Sequence, residues 1–469
     1  MALRVEIVSR EIIRPSSPTP DGLKSFKLSF LDQLAATLHV PLVLFYPGST
    51  DQFYQKNSSY QTLKESLSLT LTELYPLAGR QKSQYLIECN DEGAEYVESR
   101  VICDMASVTE HPKLDHLRML LPYNPHQLSS QNQLSMDQVA LLAVQVNRFS
   151  CGGIAIGVCI RHVIADAAAT ATFFRTWARN NASCYRNVTE YIPKNYVFDC
   201  TSLFPPQDIA LAFSARASKH NQIIHKTVTK RFILSDSVIK DLRKKCSMDD
   251  DHDNVNYPTR VEAVVAFLWT TIIQSSRKRL KRHEILLTVN LRKRMVPAIP
   301  PHSIGNVFQP SRAQWEAGEE KIADCKILTK KVSNDLRKME DGYIRKIFEN
   351  GNFFKGMKER LKMVANKSEE MGTFAVSSWC RFSFYETDFG FGKPSWYGTC
   401  LNYINSAILM DTSDSKGIEA WVTLDVEDME KLEQNSEFLS CFSIQVDHAA
   451  KFSFHNKYLS TFIASAWQN

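Results

Sequence analysis

The sequence predicts an α/β protein built from two domains of similar size. Strand-like segments, such as 139–149 and 285–291, recur among segments with helical spacing in both halves of the chain. This pattern disappears between about 193 and 226, where Phe204-Pro205-Pro206 is followed by small and polar residues. Because such a composition is typical of a linker, we expect one domain on each side of it.

The chain is accordingly divided into four parts. Residues 1–195 form the predicted N-terminal domain, residues 196–226 a crossover loop, residues 227–441 the predicted C-terminal domain, and residues 442–469 a tail for which no structure is predicted. The tail has little periodic patterning, so we expect a chain truncated at Ser440 to keep its stability and activity.

Local signals define the individual elements in chain order. Alternating or apolar runs predict strands at 139–149, 154–160, 228–234, 285–291, 404–410 and 418–424. Helical spacing predicts helices at 60–74, 167–179, 236–246 and 259–276. Ser235 can cap the third of these helices, and Thr259 with Glu262 forms a capping box at the start of the fourth.

Composition and charge exclude several classes of function. Of the 469 residues, 44% are hydrophobic, and the formal net charge is only +5. Most lysines and arginines are interleaved with acidic residues, unlike the basic stripe of a nucleic-acid-binding protein. No apolar run approaches the ~18 residues of a membrane span, and charges interrupt the N-terminus where a signal peptide is apolar. We therefore expect a cytoplasmic protein with no nucleic-acid or membrane partner. A monomer is also expected.

The distribution of the 11 cysteines predicts their redox state. They are scattered along the chain, and no two of them form a C-x-x-C pair. This usage predicts the reduced thiols of a cytosolic protein and neither a disulfide framework nor a zinc site.

The segment His162-Val-Ile-Ala-Asp166 is the main candidate for chemistry. A His-x-x-x-Asp match is weak alone, because the 12 histidines give about 0.6 matches by chance, and a second match occurs at His111-Pro-Lys-Leu-Asp115. That second match lies in a polar run that contains a proline, so we expect a surface loop. His162 instead follows an apolar strand and precedes an alanine-rich helix, a junction that favours functional sites. It is either a general base or a buried histidine bonded to a backbone carbonyl.

The order of several motifs separates these alternatives. The chain resembles the plant BAHD acyltransferases, most closely their alkaloid-acylating branch, over about residues 5–440. The resemblance rests on Pro15–Pro20, Leu31-Asp32-Gln33, Tyr75–Arg80, His162–Asp166, Asn290–Met295, Ser377–Cys380 and Asp388–Gly392, which occur in the family's order.

This resemblance implies a fold and a mechanism. The family has two chloramphenicol-acetyltransferase-like domains, each a mixed sheet flanked by helices, with a channel between them. His162 would then remove the proton of an acceptor hydroxyl in a ternary complex with an acyl-CoA, most simply acetyl-CoA. Trp379 and Ser377 would lie near the oxyanion. Thiolate is a good leaving group, so neither a metal nor a covalent acyl-enzyme is required.

The resemblance also assigns structural and cofactor-binding roles. Asp166 would pair with Arg292 rather than with His162. The loop that contains Asp388, Gly390 and Gly392 would be structural, and here Phe391 replaces the family's usual tryptophan. Thr259 and Arg260, which open the capped helix, are the first candidates for binding the CoA phosphates. The basic run 277–282 is the second candidate, although a solvated helix end explains it better.

The acceptor is the least determined part of the prediction. An alkaloid or terpenoid alcohol is expected first, and a sugar or phenolic acceptor second. The segment His302-Ser-Ile-Gly-Asn306 lacks the Y-F-G-N-C form typical of flavonoid-glucoside acyltransferases. The two competing classes are a hydrolase that uses His162 to activate water and a non-catalytic member of the family that binds a ligand or partner.

Overall fold

The computed structural model describes residues 3–36, 38–50, 58–123, 135–183, 199–208, 226–250, 254–276, 280–317, 323–356, 359 and 371–442. Most of the predicted crossover loop, the first half of the basic run 277–282 and the tail beyond residue 442 lie outside these ranges.

The described residues form alternating strands and helices. The strands are β1 (Val5–Ile13), β2 (Ser25–Lys27), β3 (His39–Tyr46), β4 (Arg80–Ser83), β5 (Leu86–Glu88), β6 (Ala94–Val101), β7 (Leu142–Phe149), β8 (Ile154–Arg161), β9 (Thr227–Leu234), β10 (Met248–Asp250), β11 (Asn254–Asn256), β12 (Arg282–Asn290), β13 (Phe308–Glu316), β14 (Met371–Ser378), β15 (Trp396–Gly398), β16 (Ser406–Asp411) and β17 (Ile418–Asp425). The helices are α1 (Phe30–Leu34), α2 (Tyr60–Glu73), α3 (Ala106–Thr109), α4 (Leu114–Met119), α5 (Ala167–Ser183), α6 (Asp236–Lys245), α7 (Arg260–Ser275), α8 (Cys325–Lys338), α9 (Asp341–Phe348), α10 (Val426–Leu432) and α11 (Ser436–Cys441).

The first of two compact units contains the described residues up to 208, together with 298–307 and 382–401. Its six-stranded sheet has the order β1-β6-β7-β8-β3-β15, in which β6 and β7 are parallel and the other neighbours antiparallel. Helix α5 packs on α2, where the Trp177 indole donates to the carbonyl of Leu63 at 3.1 Å. This unit is therefore a mixed sheet with a helical layer.

The second unit contains the described residues of 226–297, 308–381 and 402–442. Its six-stranded sheet has the order β13-β12-β14-β16-β17-β9, with β14 parallel to both of its neighbours. Helix α7 contacts α6, α8 and α10, and its fully buried Val264, Phe267 and Leu268 belong to the core of this unit. The predicted α/β class, with a mixed sheet in each of two units, is confirmed.

Each unit consists of separate segments of the chain. The sequence analysis instead divided the chain into four consecutive parts. Residues 382–401 join the first unit because β15 pairs with β3, where Trp396 packs on Phe45 at 5.1 Å between ring centroids. Residues 298–307 join it because Gly305 forms a parallel bridge with Ala165. Contacts this distant along the chain leave no signal in local composition.

Most elements with strong local signals form where the sequence predicts them. Helix α6 begins after the Ser235 cap, and α7 begins with the complete capping box of Thr259 and Glu262. Strands β16 and β17 form the predicted antiparallel pair. The sequence analysis did not predict β3, although all eight of its residues are buried and its apolar run is typical of a buried strand.

The expectation that all cysteines are reduced is wrong for one pair. Cys246 follows the last residue of α6, Cys325 is the first residue of α8, and the two form a disulfide with their Cα atoms 5.8 Å apart. They are separated by 79 residues in sequence. Spacing alone gives no indication of such a pair.

Within the described ranges, every helix is too short or too polar to span a membrane.

The described chain ends in a buried aromatic residue. Phe442 packs on Phe438 and Phe232, with centroid distances of 4.3 and 5.2 Å. The first residue of the predicted tail thus belongs to the core, and truncation at Ser440 would remove this buried ring.

Candidate active site

His162 lies at the strand-to-helix junction that the sequence predicts. Strand β8 ends at Arg161, and the backbone N–H of His162 donates to Leu38 O at 2.8 Å. A tight turn follows, in which Ile164 N donates to Arg161 O at 3.1 Å, and α5 begins at Ala167. Both flanking elements are packed in the first unit, so the position of the histidine backbone is fixed from both sides.

The electrostatics around His162 favour the neutral imidazole. The side chain is largely enclosed, and burial lowers its pKa below the usual 6.5. A hydrogen bond of the ring to its own backbone, the charge of Asp166 and the hydrogen bond with Asn306 act in the opposite direction and raise the pKa. Because the net shift is downward, the ring is mostly unprotonated near neutral pH and can accept a proton.

Asn306 is a member of this site that the sequence reasoning missed. Its Oδ1 lies 3.0 Å from His162 Nδ1, and its Nδ2 lies 2.7 Å from the backbone oxygen of His162 and 3.0 Å from Asp32 Oδ1. Its backbone N–H also donates to Asp32 Oδ1 at 2.7 Å. Asp32 and Asn306 each lie in a segment that the sequence analysis compared with BAHD acyltransferases, but 274 residues separate them. No local pattern therefore links them.

Asp166 has structural contacts on both carboxylate oxygens. Oδ1 accepts the backbone N–H of Ala169 in the first turn of α5 at 2.8 Å, as an N-cap residue does. Oδ2 accepts the backbone N–H of Val307 at 3.0 Å. These bonds agree with a structural role for Asp166. Its predicted pairing with Arg292, a buried residue of the second unit, stays a prediction.

Ser377 and Trp379 lie at the end of β14 in the second unit. The backbone N–H of Trp379 donates to Leu409 O at 2.7 Å, which continues the pairing of β14 with β16. The indole Nε1–H of Trp379 donates to Ser377 Oγ at 3.1 Å. The Ser377 hydroxyl thus accepts a hydrogen bond from the indole and keeps its own proton available for donation to another group.

The loop that contains Asp388 belongs to the first unit and not to the predicted C-terminal domain. Asp388 Oδ1 accepts the backbone N–H groups of Gly390 and Gly392 at 2.7 and 2.9 Å. Both glycines have positive φ, of 90° and 106°, which explains their identity. Phe391 packs edge-on against Tyr46 at 5.1 Å, so phenylalanine fills this aromatic position. These contacts agree with the predicted structural role of the loop.

The predicted cofactor-binding residues have other partners within the second unit. Arg260 donates to Asp411 Oδ1 at 2.7 Å and to the carbonyl oxygens of Ser415 and Lys416 at 2.7 Å each. Thr259 is engaged in the capping box with Glu262. A phosphate would have to compete with these contacts, and the role of Thr259 and Arg260 in binding CoA stays a prediction.

The alternative His-x-x-x-Asp match is not a comparable site. His111 is exposed, and Asp115 lies in α4 rather than in a loop, where it pairs with Arg118 at 2.6 Å. Of the predicted site residues, the structure brings His162 and Asp166 together in one unit with the Asp388 loop. Arg292, Ser377, Trp379, Thr259 and Arg260 belong to the other unit.

The two mixed sheets, with a histidine between strand β8 and helix α5, agree with the chloramphenicol-acetyltransferase-like fold that the sequence predicts. The chain belongs to the Transferase family, the BAHD acyltransferases, whose sequence pattern matches residues 3–439.

Individual relatives extend over nearly the whole chain. Limonoid 1-O-acetyltransferase of Citrus sinensis is 38% identical over 94% of this chain and 99% of its own length. Stemmadenine O-acetyltransferase of Catharanthus roseus is 35% identical over 94% of this chain and 98% of its own. The crystal structure of vinorine synthase matches with a TM-score of 0.74 and 32% identity, covering 94% of this chain and 98% of that one. The chain is therefore similar to acetyltransferases of plant specialised metabolism, and it is an acyltransferase.

Proposed function

We propose that the protein transfers an acetyl group from acetyl-CoA to a hydroxyl of a plant alkaloid or terpenoid alcohol. The observation that carries this proposal is the environment of His162: a depressed pKa, a fixed backbone and a ring nitrogen held by Asn306. The names of the relatives, which include a limonoid and an alkaloid acetyltransferase, support the donor and the acceptor class.

The reaction proceeds by direct transfer in a ternary complex. The acceptor oxygen attacks the thioester carbonyl while its proton passes to Nε2 of His162. The resulting tetrahedral intermediate collapses with cleavage of the C–S bond. The CoA thiolate leaves and takes the proton from the imidazolium, so that the products are the ester and free CoA. His162 is neutral again at the end of the cycle.

The negative charge on the tetrahedral intermediate requires a hydrogen-bond donor. We assign this role to the hydroxyl of Ser377. The Trp379 indole donates to Ser377 Oγ at 3.1 Å, which orients the hydroxyl and polarises its O–H bond. Trp379 is then a positioning residue, and Ser377 is the donor.

A donor and acceptor screen tests this function. The purified chain is incubated with acetyl-, malonyl-, isovaleryl- or hydroxycinnamoyl-CoA and a panel of terpenoid, alkaloid, sugar and phenolic alcohols. Mass spectrometry detects the ester, and a thiol reagent detects released CoA. We expect an acetyl ester of a terpenoid or alkaloid alcohol and CoA release that depends on the acceptor. Equal CoA release without any acceptor would identify a hydrolase, and no turnover with any pair would favour a binding protein.

A further inference from the structure

The hydrogen bonds of Asn306 determine which way its side-chain amide faces. Nδ2 lies within hydrogen-bonding distance of two acceptors, Asp32 Oδ1 at 3.0 Å and the backbone oxygen of His162 at 2.7 Å. The nitrogen of an amide only donates, and its oxygen only accepts. The reversed amide would set its oxygen against a carboxylate and a carbonyl. The orientation with Nδ2 towards these two acceptors is therefore the stable one.

This orientation fixes the tautomer of His162. With Nδ2 occupied, Asn306 Oδ1 faces His162 Nδ1 at 3.0 Å. Because Oδ1 can only accept, the proton of the neutral ring must be on Nδ1, and the lone pair is on Nε2. The opposite tautomer would set the Nδ1 lone pair against an amide oxygen and lose this hydrogen bond.

Asp32 holds Asn306 in turn. The carboxylate is only 2% exposed. Its Oδ2 accepts the N–H and Oγ–H of Ser29 in the capping box of α1, at 2.9 and 2.7 Å. Among the described residues, its Oδ1 accepts hydrogen bonds from Asn306 alone, through the backbone and the side chain. The capping box uses one oxygen, and the other oxygen is directed entirely at Asn306.

Asp32 has no cation to offset its charge among the residues that the structure describes. A buried carboxylate without such a partner is costly, and here only four hydrogen bonds compensate. The N-cap of α1 is Ser29, and Asp32 is the third residue of the helix, so a neutral Gln at that position could complete a capping box without a buried charge. The buried carboxylate of Asp32 therefore has a structural role beyond the start of α1.

We propose that Asp32 and Asn306 are positioning residues that hold His162 in the Nδ1–H tautomer and so leave Nε2 to take the proton of the acceptor. This inference rests on the proposed function of His162. Asp32 acts through Asn306, and Asn306 acts through the imidazole ring. Residues that orient metal-binding histidines through such hydrogen bonds contribute about 10–100-fold to affinity or activity, and we expect an effect of similar size here.

Nitrogen NMR of ¹⁵N-histidine-labelled protein tests the tautomer directly. The His162→Ala variant identifies the His162 signals by their disappearance. In the wild-type protein above pH 7, we expect a protonated Nδ1 and an unprotonated Nε2. A wild-type ring protonated at Nε2 would overturn the inference, even if His162→Ala is inactive. A fully active His162→Ala variant would instead refute the proposed function.

Three variants separate positioning from a structural role. Asn306→Ala and Asp32→Ala should each lower kcat per folded molecule by about 10–100-fold, change KM for the acyl-CoA little, and populate the Nε2–H tautomer. Ser29→Ala is the matched control, because it removes a capping bond to Asp32 and leaves the contacts with Asn306 intact. It should lower the melting temperature and keep kcat within about 3-fold.

If Asp32→Ala fails to fold, Asp32→Asn takes its place. This substitution retains an oxygen towards Asn306, so we expect a smaller fall in kcat and a partial shift of tautomer. Wild-type kcat and tautomer in a folded Asn306→Ala protein would overturn the inference. So would a fall in kcat for Ser29→Ala as large as that for Asp32→Ala.

Discussion

Asp166 accepts the backbone N–H of Val307 through its Oδ2 at 3.0 Å. Its other oxygen caps α5 at Ala169. One side chain thus joins the strand-to-helix junction after His162 to the segment that carries Asn306. Gly305 strengthens the same connection, because its backbone N–H donates to Ile164 O at 2.8 Å. Asp166, the aspartate of the His-x-x-x-Asp motif, therefore stabilises the backbone around His162.

Replacement of Asp166 should damage stability more than catalysis. In Asp166→Asn, an amide NH₂ faces one of the two backbone N–H groups, and a buried donor loses its acceptor at a cost of about 1–3 kcal/mol. If Arg292 also depends on this carboxylate, the cost rises to about 3–5 kcal/mol. We expect a lower melting temperature and poor expression, with activity that follows the folded fraction. Thermal melts measure the effect on stability, and kcat per folded molecule measures the effect on catalysis.

A double-mutant cycle tests the predicted partnership with Arg292. Arg292→Ala should resemble Asp166→Asn in stability. The double variant should lose less than the sum of the two single variants, because the second removal leaves no charge unpaired. A well-folded Asp166→Asn enzyme with collapsed turnover, beside a healthy Arg292→Ala enzyme, would contradict the structural role.

The pH dependence of kcat/KM follows from the lowered pKa of His162. Burial disfavours the imidazolium, so the neutral base persists below the usual pKa of 6.5. We expect kcat/KM to stay level as the pH falls to about 6.5 and to decline only below it. A decline that begins above pH 7 would contradict a buried neutral base.

The lowered pKa of His162 also makes the stability of the folded protein depend on pH, and measured rates must be corrected for this effect. The unfolded chain protonates His162 at a higher pH than the folded protein does, so the folded state loses stability as the pH falls below about 6.5. His39, whose pKa burial lowers to about 4, contributes in the same direction. Rates at each pH are therefore divided by the folded fraction, measured by circular dichroism.

Ser377 and Trp379 should contribute unequally to the rate. Ser377→Ala removes the proposed donor to the oxyanion, so kcat should fall by about 10²–10³-fold. Trp379→Phe removes the bond that orients Ser377 and leaves the proposed donor in place, and we expect about a 10-fold fall. Ser378→Ala, one residue along the same strand, is the matched control with near wild-type kcat. A Trp379→Phe enzyme slower than Ser377→Ala would reverse these roles.

The end of the required chain should be Phe442. Truncation at Ser440 removes a buried ring that packs on Phe438 and Phe232, at a cost of about 3–5 kcal/mol. The melting temperature should therefore fall by roughly 6–20 °C. Truncation after Phe442 should leave melting temperature and kcat close to those of the full chain. An equal loss for both truncations would mean that the residues after 442 are also required.

The parts of the fold that the sequence predicts are those with local causes. A capping side chain lies within three residues of the N–H that it bonds, so the residue types of Thr259 and Glu262 and their spacing suffice to predict the start of α7. His162 is recognisable for the same reason, because a strand and a helix adjoin it. The relation between Asp32 and Asn306, and the pairing of β15 with β3, arise only when distant segments meet.

The measurement that tests the account most directly is the turnover of His162→Ala with the preferred donor and acceptor. The variant should fold as the wild type does, bind acyl-CoA with nearly unchanged affinity, and transfer at least about 10³-fold more slowly. His111→Ala, which alters the exposed alternative motif, should transfer at the wild-type rate. Near-normal transfer by His162→Ala, or activity lost only in His111→Ala, would contradict His162 as the general base.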